Sequence, residues 1–231
     1  MYALKCVNKE IKYFNIAVVK MDKNNIAIFP LKIVLFPDSV FPLHIFEDRY
    51  KMMINNFLEN GLSFGMNFHE NSKSYEIGCE VRRIEVIKRY DDGRLDITIT
   101  GGKRYKINHL NESPNGYLLA DIEYFDDEPE MHDDFLLDYC LMIYNEIAKS
   151  VKNVQIKEII LSELPTGKPS FYIAQKSGLT HAQKQLLLEA RSENKRLKII
   201  TDHLNNIFSI VKKAELASVL IKNDGYFTLQ Y

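Results

Sequence analysis

The sequence contains little of what secreted and membrane proteins need. Its 231 residues include only three cysteines, which lie far apart, so neither a disulfide framework nor a paired-cysteine zinc site is expected. The longest apolar runs are far shorter than the roughly 20 residues that a membrane-spanning helix requires. With a formal net charge of -1, the chain as a whole attracts neither nucleic acid nor an anionic membrane. We therefore expect a cytoplasmic protein with free thiols and no membrane partner.

Sequence motifs for catalysis and cofactor binding are also absent. Gly-Lys occurs at 102–103 and at 167–168, but neither pair has the preceding Gly and the following Ser or Thr of a phosphate-binding loop. His69-Glu70 begins like the HExxH motif of a zinc protease, yet Lys73 stands at the position of the second histidine. The letters GxSxG occur at 61–65, but they follow the predicted helix at 46–61, whereas a nucleophile elbow follows a strand and precedes a helix. We expect a protein without enzymatic activity, cofactor or metal.

Strand-forming residues dominate the first half of the chain. Two runs of strand character, "EVRRIEVIKRY" and "LDITIT", flank an Asp-Gly pair at 92–93, which predicts a β-hairpin. The stretch "GGKRYKI" that follows predicts a turn into another strand. The segment 46–61 differs, because Phe46 and Tyr50 begin a pattern at helical spacing that continues to Gly61. One helix is therefore predicted within the β-rich half.

Three prolines interrupt the strongest strand-forming segment, "IFPLKIVLFPDSVFPLHIFEDRY". Proline has no N–H group and disrupts central strands, so we expect Pro30, Pro37 and Pro42 at strand ends, bends or sheet edges. The closing "FEDRY" predicts the start of the helix, because Glu47 and Asp48 are favoured in a first turn.

An acidic segment without Lys or Arg separates the β-rich half from a helical half. It extends from Asp121 to Asp138 and favours a solvated connector that ends in a helix amino terminus, with a metal site as the weaker alternative. We place an amino-terminal extension at 1–25, a β-rich subdomain at 26–125 and a helical subdomain at 126–231.

Apolar residues at helical spacing recur through the second half. The stretches "FLLDYCLMIYNEIA", "VQIKEIILSEL" and "PSFYIAQKSG" each predict a helix, and Thr180 with Gln183 predicts a capping box for the next one. A long final helix carries apolar residues spaced three and four apart, which favours a core-facing stripe or, alternatively, a coiled-coil-like partner surface. These residues are Leu197, Ile200, Leu204, Ile207 and Val211.

Arginines near the predicted hairpin form a candidate nucleic-acid surface. Tyr90 and Tyr105 lie among them, a combination that can bind single-stranded RNA. The arginines are Arg82, Arg83, Arg89, Arg94 and Arg104. Acidic residues are interleaved with them, which favours an ordinary solvated surface. RNA binding is therefore the alternative hypothesis.

Three motifs, in the expected order, resemble the LON substrate-binding domain, the amino-terminal domain of Lon proteases. The stretch "IAIFPLKIVLFPDSVFPLHIFEDRYKMMI" resembles that family's FPL…VLFPG…PLHIFEPRY pattern. "DDGRLDITITGGKRYKI" is similar to its next hairpin segment, and "PSFYIAQKSGLTHAQKQLLLEARSENKRL" is similar to its helical close. Asp38 and Asp48 stand where the family usually has Gly and Pro. Aspartate also favours turn geometry, so we expect the chain to tolerate Asp38.

The resemblance implies an α+β fold in which a PUA-like open β-barrel subdomain with one helix precedes a carboxy-terminal α-helical bundle. It also implies a non-enzymatic binding role, with unfolded polypeptide or a protein partner as the ligand. The candidate contact residues are Phe36, Phe41, Phe46 and Tyr50. Lon proteases continue into an AAA+ ATPase and a Ser-Lys peptidase domain, and this chain ends at Tyr231, so we expect a stand-alone form. Because the resemblance begins after the first residues, Met21 is a second candidate start of translation.

Overall fold

The computed structural model describes residues 25–222, except 62, 72 and 152–154. The candidate start at Met21 lies outside these described residues. The strands are β1 (Asn25–Leu31), β2 (Val40–Ile45), β3 (Phe64–Glu70), β4 (Lys73–Arg89), β5 (Leu95–Glu112) and β6 (Leu118–Phe125). The helices are α1 (Asp48–Asn60), α2 (Asp134–Ser150), α3 (Pro169–Lys176), α4 (His181–Glu189) and α5 (Glu193–Lys222), with a short 3-10 turn at Leu161–Glu163.

The strands form one mixed, curled sheet in the order β2-β5-β4-β3-β1-β6. Strands β1 and β3 are parallel, and the other pairs are antiparallel. A further pairing of β6 with β5 joins five strands into a ring and leaves β2 outside it, on one edge of β5. The α+β class is confirmed, although a mixed sheet with an added edge strand is not a regular barrel.

One aromatic side chain fills the small core that Ile26 and Ile28 line. Tyr105 is fully buried there, and its hydroxyl donates a 2.5 Å hydrogen bond to Asn67 Oδ1. Gly65 and Gly78 leave the space for its ring, because a Cβ atom at either position would lie within 2.6 Å of the tyrosine. Burial raises the pKa of Tyr105 well above its ordinary value, so the hydroxyl stays a donor.

The prolines lie where the sequence predicted, at bends and edges. Pro30 lies in β1 beyond the last residue paired with β6, and Pro42 lies in the edge strand β2. Pro37 belongs to a turn in which Asp38 has a φ of 60°, in the left-handed region that favours glycine. Aspartate is among the few other residues that tolerate this conformation, which explains how Asp38 can replace the glycine usual in the resembled motif.

The predicted hairpin is confirmed, but the predicted turn at "GGKRYKI" is wrong. β4 and β5 are joined through the Asp-Gly turn, in which Gly93 has a φ of 82°. β5 then continues without a break through the double glycine. Gly101 is required there because the turn at 36–39 docks directly on it, and a Cβ atom would lie 2.0 Å from the Phe36 carbonyl oxygen. The glycine allows close approach of two backbones, which a local sequence pattern does not distinguish from a turn.

Most helix predictions are confirmed. Glu47 is the residue before α1, Asp48 lies in its first turn, and Gly61 ends the helix with a φ of 65°. The capping box of α4 is complete, because the Thr180 hydroxyl accepts from the Gln183 N–H while the Gln183 side chain accepts from the Thr180 N–H.

The predicted helix in "VQIKEIILSEL" is wrong for its described residues. They have no regular secondary structure up to the short 3-10 turn at Leu161–Glu163. The side chain of Asn145 on α2 replaces the helical hydrogen bonds, accepting from the Ile159 N–H at 2.9 Å and donating to the Ile159 carbonyl at 3.0 Å. These two hydrogen bonds hold the segment against α2, and the Ile159 side chain is buried.

One hydrophobic core extends from the sheet and α1 into the helical half. The apolar stripe of α5 faces this core, as predicted. Leu197, Ile200 and Leu204 are buried and Ile207 is partly buried. Cys79 and Cys140 are buried free thiols. Within 25–222, leaving aside the gaps, no helix is long and apolar enough to span a membrane.

Candidate functional site

Two buried arginines join the sheet to the helical half. Arg104 on β5 and Arg196 on α5 are 1% and 0% exposed, and both bind the carboxylate of Asp127 in the segment after β6. Arg196 reaches Asp127 Oδ1 at 2.8 Å and Oδ2 at 2.5 Å. It also binds Glu193 Oε2 at 2.6 Å, while Arg104 donates to the Ala190 carbonyl at 2.6 Å. We call these four charged residues, Arg104, Asp127, Glu193 and Arg196, the junction network.

The junction network has equal numbers of positive and negative groups and is largely buried. Burial alone would raise the pKa of Asp127, but the hydrogen bond and charge of Arg196, with the charges of Arg104 and Lys168, hold it below its ordinary value. Burial lowers the pKa of Arg104, and the charge of Asp127 opposes that shift. The ring of Phe171 lies 4.4 Å from the Arg196 guanidinium carbon and 5.5 Å from that of Arg104. Both guanidinium groups therefore contact the same aromatic ring and bind the same carboxylate.

Most residues of the acidic connector are exposed and Asp133 caps α2, as the sequence predicted, but hydrogen bonds that were not predicted also hold the connector in place. In addition to the ion pairs of Asp127, the connector backbone forms a hydrogen bond to the segment before α5, in which the Glu128 N–H donates to the Arg191 carbonyl at 2.8 Å. Glu130 accepts hydrogen bonds from the Ser192 hydroxyl at 2.8 Å and from the Asn194 N–H at 3.2 Å. The connector acids thus bind the start of α5, and their sequence clustering reflects this docking.

A groove of about 930 Å³ lies beside the junction network, between the sheet and α3. Its sheet side includes Arg82 on β4 and Lys103 on β5, and Phe57 of α1 contributes an aromatic side chain. The opposite wall is the loop 163–168 and Tyr172 of α3. The volume lies in the range typical of ligand-binding clefts, and the walls combine apolar surface with both signs of charge. We call this cavity the junction groove.

A second, smaller cavity of about 200 Å³ lies on the other side of the turn at 36–39. Ile33, Val40 and Phe41 give it an apolar lining, and Gln175 lines both this cavity and the junction groove. An extended chain lying across Gln175 would therefore contact a charged section and then an apolar section.

The four aromatic residues that the sequence analysis proposed as contacts differ in their burial and do not form one surface. Phe36 and Tyr50 are 1% and 6% exposed, because Phe36 stacks on Phe171 and Tyr50 packs on Phe29 in the core; Phe36 nevertheless belongs to the lining of the smaller cavity. Phe41 is partly buried and lines the smaller cavity. Phe46 is 61% exposed beside His44 and lines neither cavity.

The arginines proposed for RNA binding also lie in different environments. Arg104 is buried in the junction network, so it does not belong to an exposed basic surface. Three others pair with nearby carboxylates, in the ion pairs Arg82–Asp38 at 2.9 Å, Arg83–Glu85 at 2.6 Å and Arg94–Asp92 at 2.6 Å. Arg89 is exposed. Arg82 and Arg104 line the junction groove, whereas the other three do not.

Sequence reasoning missed the groove residues Tyr172 and Gln175. Their only local signal is the Pro and Gly content of the adjoining loop 163–168, which predicted a break between helices but no site. No group of three His, Cys, Asp or Glu side chains with metal-binding geometry occurs among the described residues.

Comparisons with known proteins agree with the fold. A family model described as "ATP-dependent protease La (LON) substrate-binding domain" matches residues 25–206. Lon protease 1 of Hydrogenovibrio crunogenus is 21% identical over 222 residues, which cover 87% of this chain and 26% of that protein. The chain therefore spans about a quarter of the length of this curated relative.

Two solved structures have a similar fold. A Lon N-terminal domain protein from Xanthomonas campestris has a TM-score of 0.53 at 20% identity, with 75% of this chain and 95% of that chain covered. The N-terminal domain of a Mycobacterium avium complex Lon protease has a TM-score of 0.56 at 18% identity, with coverages of 78% and 98%.

Proposed function

The chain belongs to the LON substrate-binding domain family, and on that premise we propose that it binds unfolded polypeptide segments in the junction groove and the adjoining apolar cavity. The observation that carries the proposal is that the two cavities are neighbours with Gln175 in the lining of both, an arrangement that suits an elongated ligand better than a compact small molecule. The role is binding without catalysis, since the matched family model is that of a substrate-binding domain.

The finer architecture supports this role. We propose that the ring of five strands corresponds to a PUA-like open barrel and that α2 to α5 form the helical bundle packed on it. The binding surface then lies at the contact between the two parts, where the junction network fixes the position of β5 relative to α5. Clefts between packed substructures are common ligand sites.

RNA binding receives no comparable support. Three of the exposed arginines are already paired with carboxylates, and Arg104 is buried. A single strand of RNA needs a continuous basic groove, whereas acidic side chains such as Glu80 and Glu163 line the junction groove.

Fluorescence anisotropy of a labelled, uncharged, unfolded peptide tests the proposal. The chain should bind it, and Tyr172→Ala and Phe41→Ala should each weaken binding by about 1 kcal/mol or more, as is typical of aromatic contacts in an interface. Phe46→Ala is the matched control, because Phe46 is aromatic and exposed but lies outside both cavities.

Circular dichroism of each variant separates lost binding from lost folding. Weakening by Phe46→Ala alone would move the site to the β2 edge and refute the groove. Failure of the peptide to bind the folded wild-type chain would refute polypeptide binding itself.

A further inference from the structure

The charges of the junction groove are not all satisfied within the chain, and we propose that the groove prefers polypeptide segments that present a carboxylate. This inference rests on the proposed polypeptide binding and specifies which segments bind best. It follows from comparing the acidic and basic groups that line the groove.

The acidic groups of the groove already have partners. Three of them form ion pairs, which are Asp38–Arg82 at 2.9 Å, Asp126–Lys168 at 2.5 Å and Glu163–Lys157 at 2.9 Å. The fourth, Glu80, interacts with the hydroxyl of Tyr124; burial and then Glu80 raise the pKa of that tyrosine above its ordinary value. None of these carboxylates therefore requires a cation from a ligand.

Two basic residues of the groove have a donor that no acceptor among the described residues satisfies. Within the described part of the chain, Lys103 has no carboxylate at ion-pair distance, and its Nζ lies 5.7 Å from the centre of the Tyr124 ring. Arg104 uses its terminal nitrogens in the junction network, but its Nε is buried without a hydrogen-bond acceptor. A buried donor without an acceptor costs free energy, which a ligand acceptor can recover.

A carboxylate is the polypeptide group whose charge best complements the exposed Lys103 and the neighbouring Arg104. It accepts charge-assisted hydrogen bonds from Lys and Arg, and it comes from an Asp or Glu side chain or from the chain's own carboxy terminus. A nucleic-acid phosphate offers the same acceptor chemistry. However, the acidic groups along the same groove repel a polyanion more than they repel a peptide with a single carboxylate.

Three labelled peptides of equal length distinguish the sources. One has a central Glu and an amidated end, the second has Gln in its place, and the third is the Gln peptide with a free carboxy terminus. We expect one or both carboxylate peptides to bind about fivefold more tightly than the amidated Gln peptide, as a charged hydrogen bond allows. Lys103→Gln should abolish this preference.

Lys106→Gln is the control variant, because Lys106 lies on the same strand, is exposed and does not line the groove. It makes the same charge change and should keep the preference. Loss of the preference in both variants would indicate a long-range charge effect and refute the site.

Equal affinities of the wild-type chain for all three peptides would refute carboxylate selection while leaving polypeptide binding intact. Failure of all three to bind would instead refute the proposed function. Displacement of the Glu peptide by a uridine oligonucleotide at equal concentration would assign the donors to nucleic acid and refute the peptide assignment.

Discussion

The shared carboxylate of the junction network should contribute more to stability than its neighbour in sequence. Asp127→Asn removes the negative charge between Arg104 and Arg196 and leaves two buried cations with Glu193 alone. Removing one partner of a buried ion pair costs about 3–5 kcal/mol. The Asp127 side chain is 16% exposed, so partial hydration places the expected loss near the lower end, at about 3 kcal/mol.

Asp126→Asn provides a matched control one residue away. The Asp126 side chain is 82% exposed, and its ion pair with Lys168 has one partner largely in solvent. Such pairs contribute about 1 kcal/mol or less. Because the chain contains no tryptophan, urea unfolding should be followed by far-ultraviolet circular dichroism. Equal losses in the two variants, or a loss below about 1 kcal/mol for Asp127→Asn, would refute the role of the network.

The same comparison has a defined pH dependence. Because folding lowers the pKa of Asp127, its stabilising contribution is present above the unfolded-state pKa of about 3.9 and is lost as the pH falls through the folded-state pKa. The stability difference between the wild-type chain and Asp127→Asn should therefore be largest near neutral pH and decrease below about pH 4. A difference that grows on acidification would contradict the assignment.

Three further predictions concern burial and backbone geometry. Phe36→Ala should destabilise the fold by about 3–5 kcal/mol and Phe46→Ala by less than about 1 kcal/mol in urea unfolding; similar losses would contradict their different burial. Asp38→Ala should cost about 1 kcal/mol more than Asp38→Gly by the same measurement, because only glycine adopts the left-handed conformation freely; equal stabilities would contradict the turn geometry. In a Cys6→Ser background, the thiols of Cys79 and Cys140 should react with a thiol reagent only on unfolding, since burial raises their pKa to about 12 and about 11. Rapid labelling of the native chain would contradict this.

Local signals predicted the local parts of the fold well. The Asp-Gly hairpin, the Thr180–Gln183 capping box and Gly61 at the end of α1 each depend on residues within a few positions of one another. The positions of the prolines could be predicted because proline has no backbone N–H group to donate within a sheet.

The wrong predictions all involve partners that are distant in sequence. "VQIKEIILSEL" has helical spacing, but Asn145 supplies the backbone hydrogen bonds that a helix would otherwise make. The double glycine resembles a turn, but its first residue has to be glycine because the backbone at 36–39 packs directly against it. The acidic connector is exposed as predicted, but its docking through Asp127 was not predicted, because the partner Arg196 lies 69 residues away in the sequence.

The candidate site could be predicted only in part for the same reason. Phe36 and Phe41 were identified from the same motif and both line the smaller cavity, but Phe36 is almost fully buried in the core and Phe41 only partly. Lys103 and Tyr172 become neighbours of one groove only when α3 packs against the sheet. Alternation along a strand predicts which residues share a face, but not which helix covers that face.

Photo-crosslinking tests most directly whether unfolded polypeptide binds in the junction groove. A labelled unfolded peptide that carries a benzophenone side chain is irradiated with the wild-type chain, and the adducts are located by mass spectrometry. We expect adducts on the groove and the adjoining cavity, at 164–175 and near Lys103 and Phe41, with competition by unlabelled peptide. Competed adducts confined to Phe46, the outer end of the β4–β5 hairpin or the exposed part of α5 would contradict the proposed site.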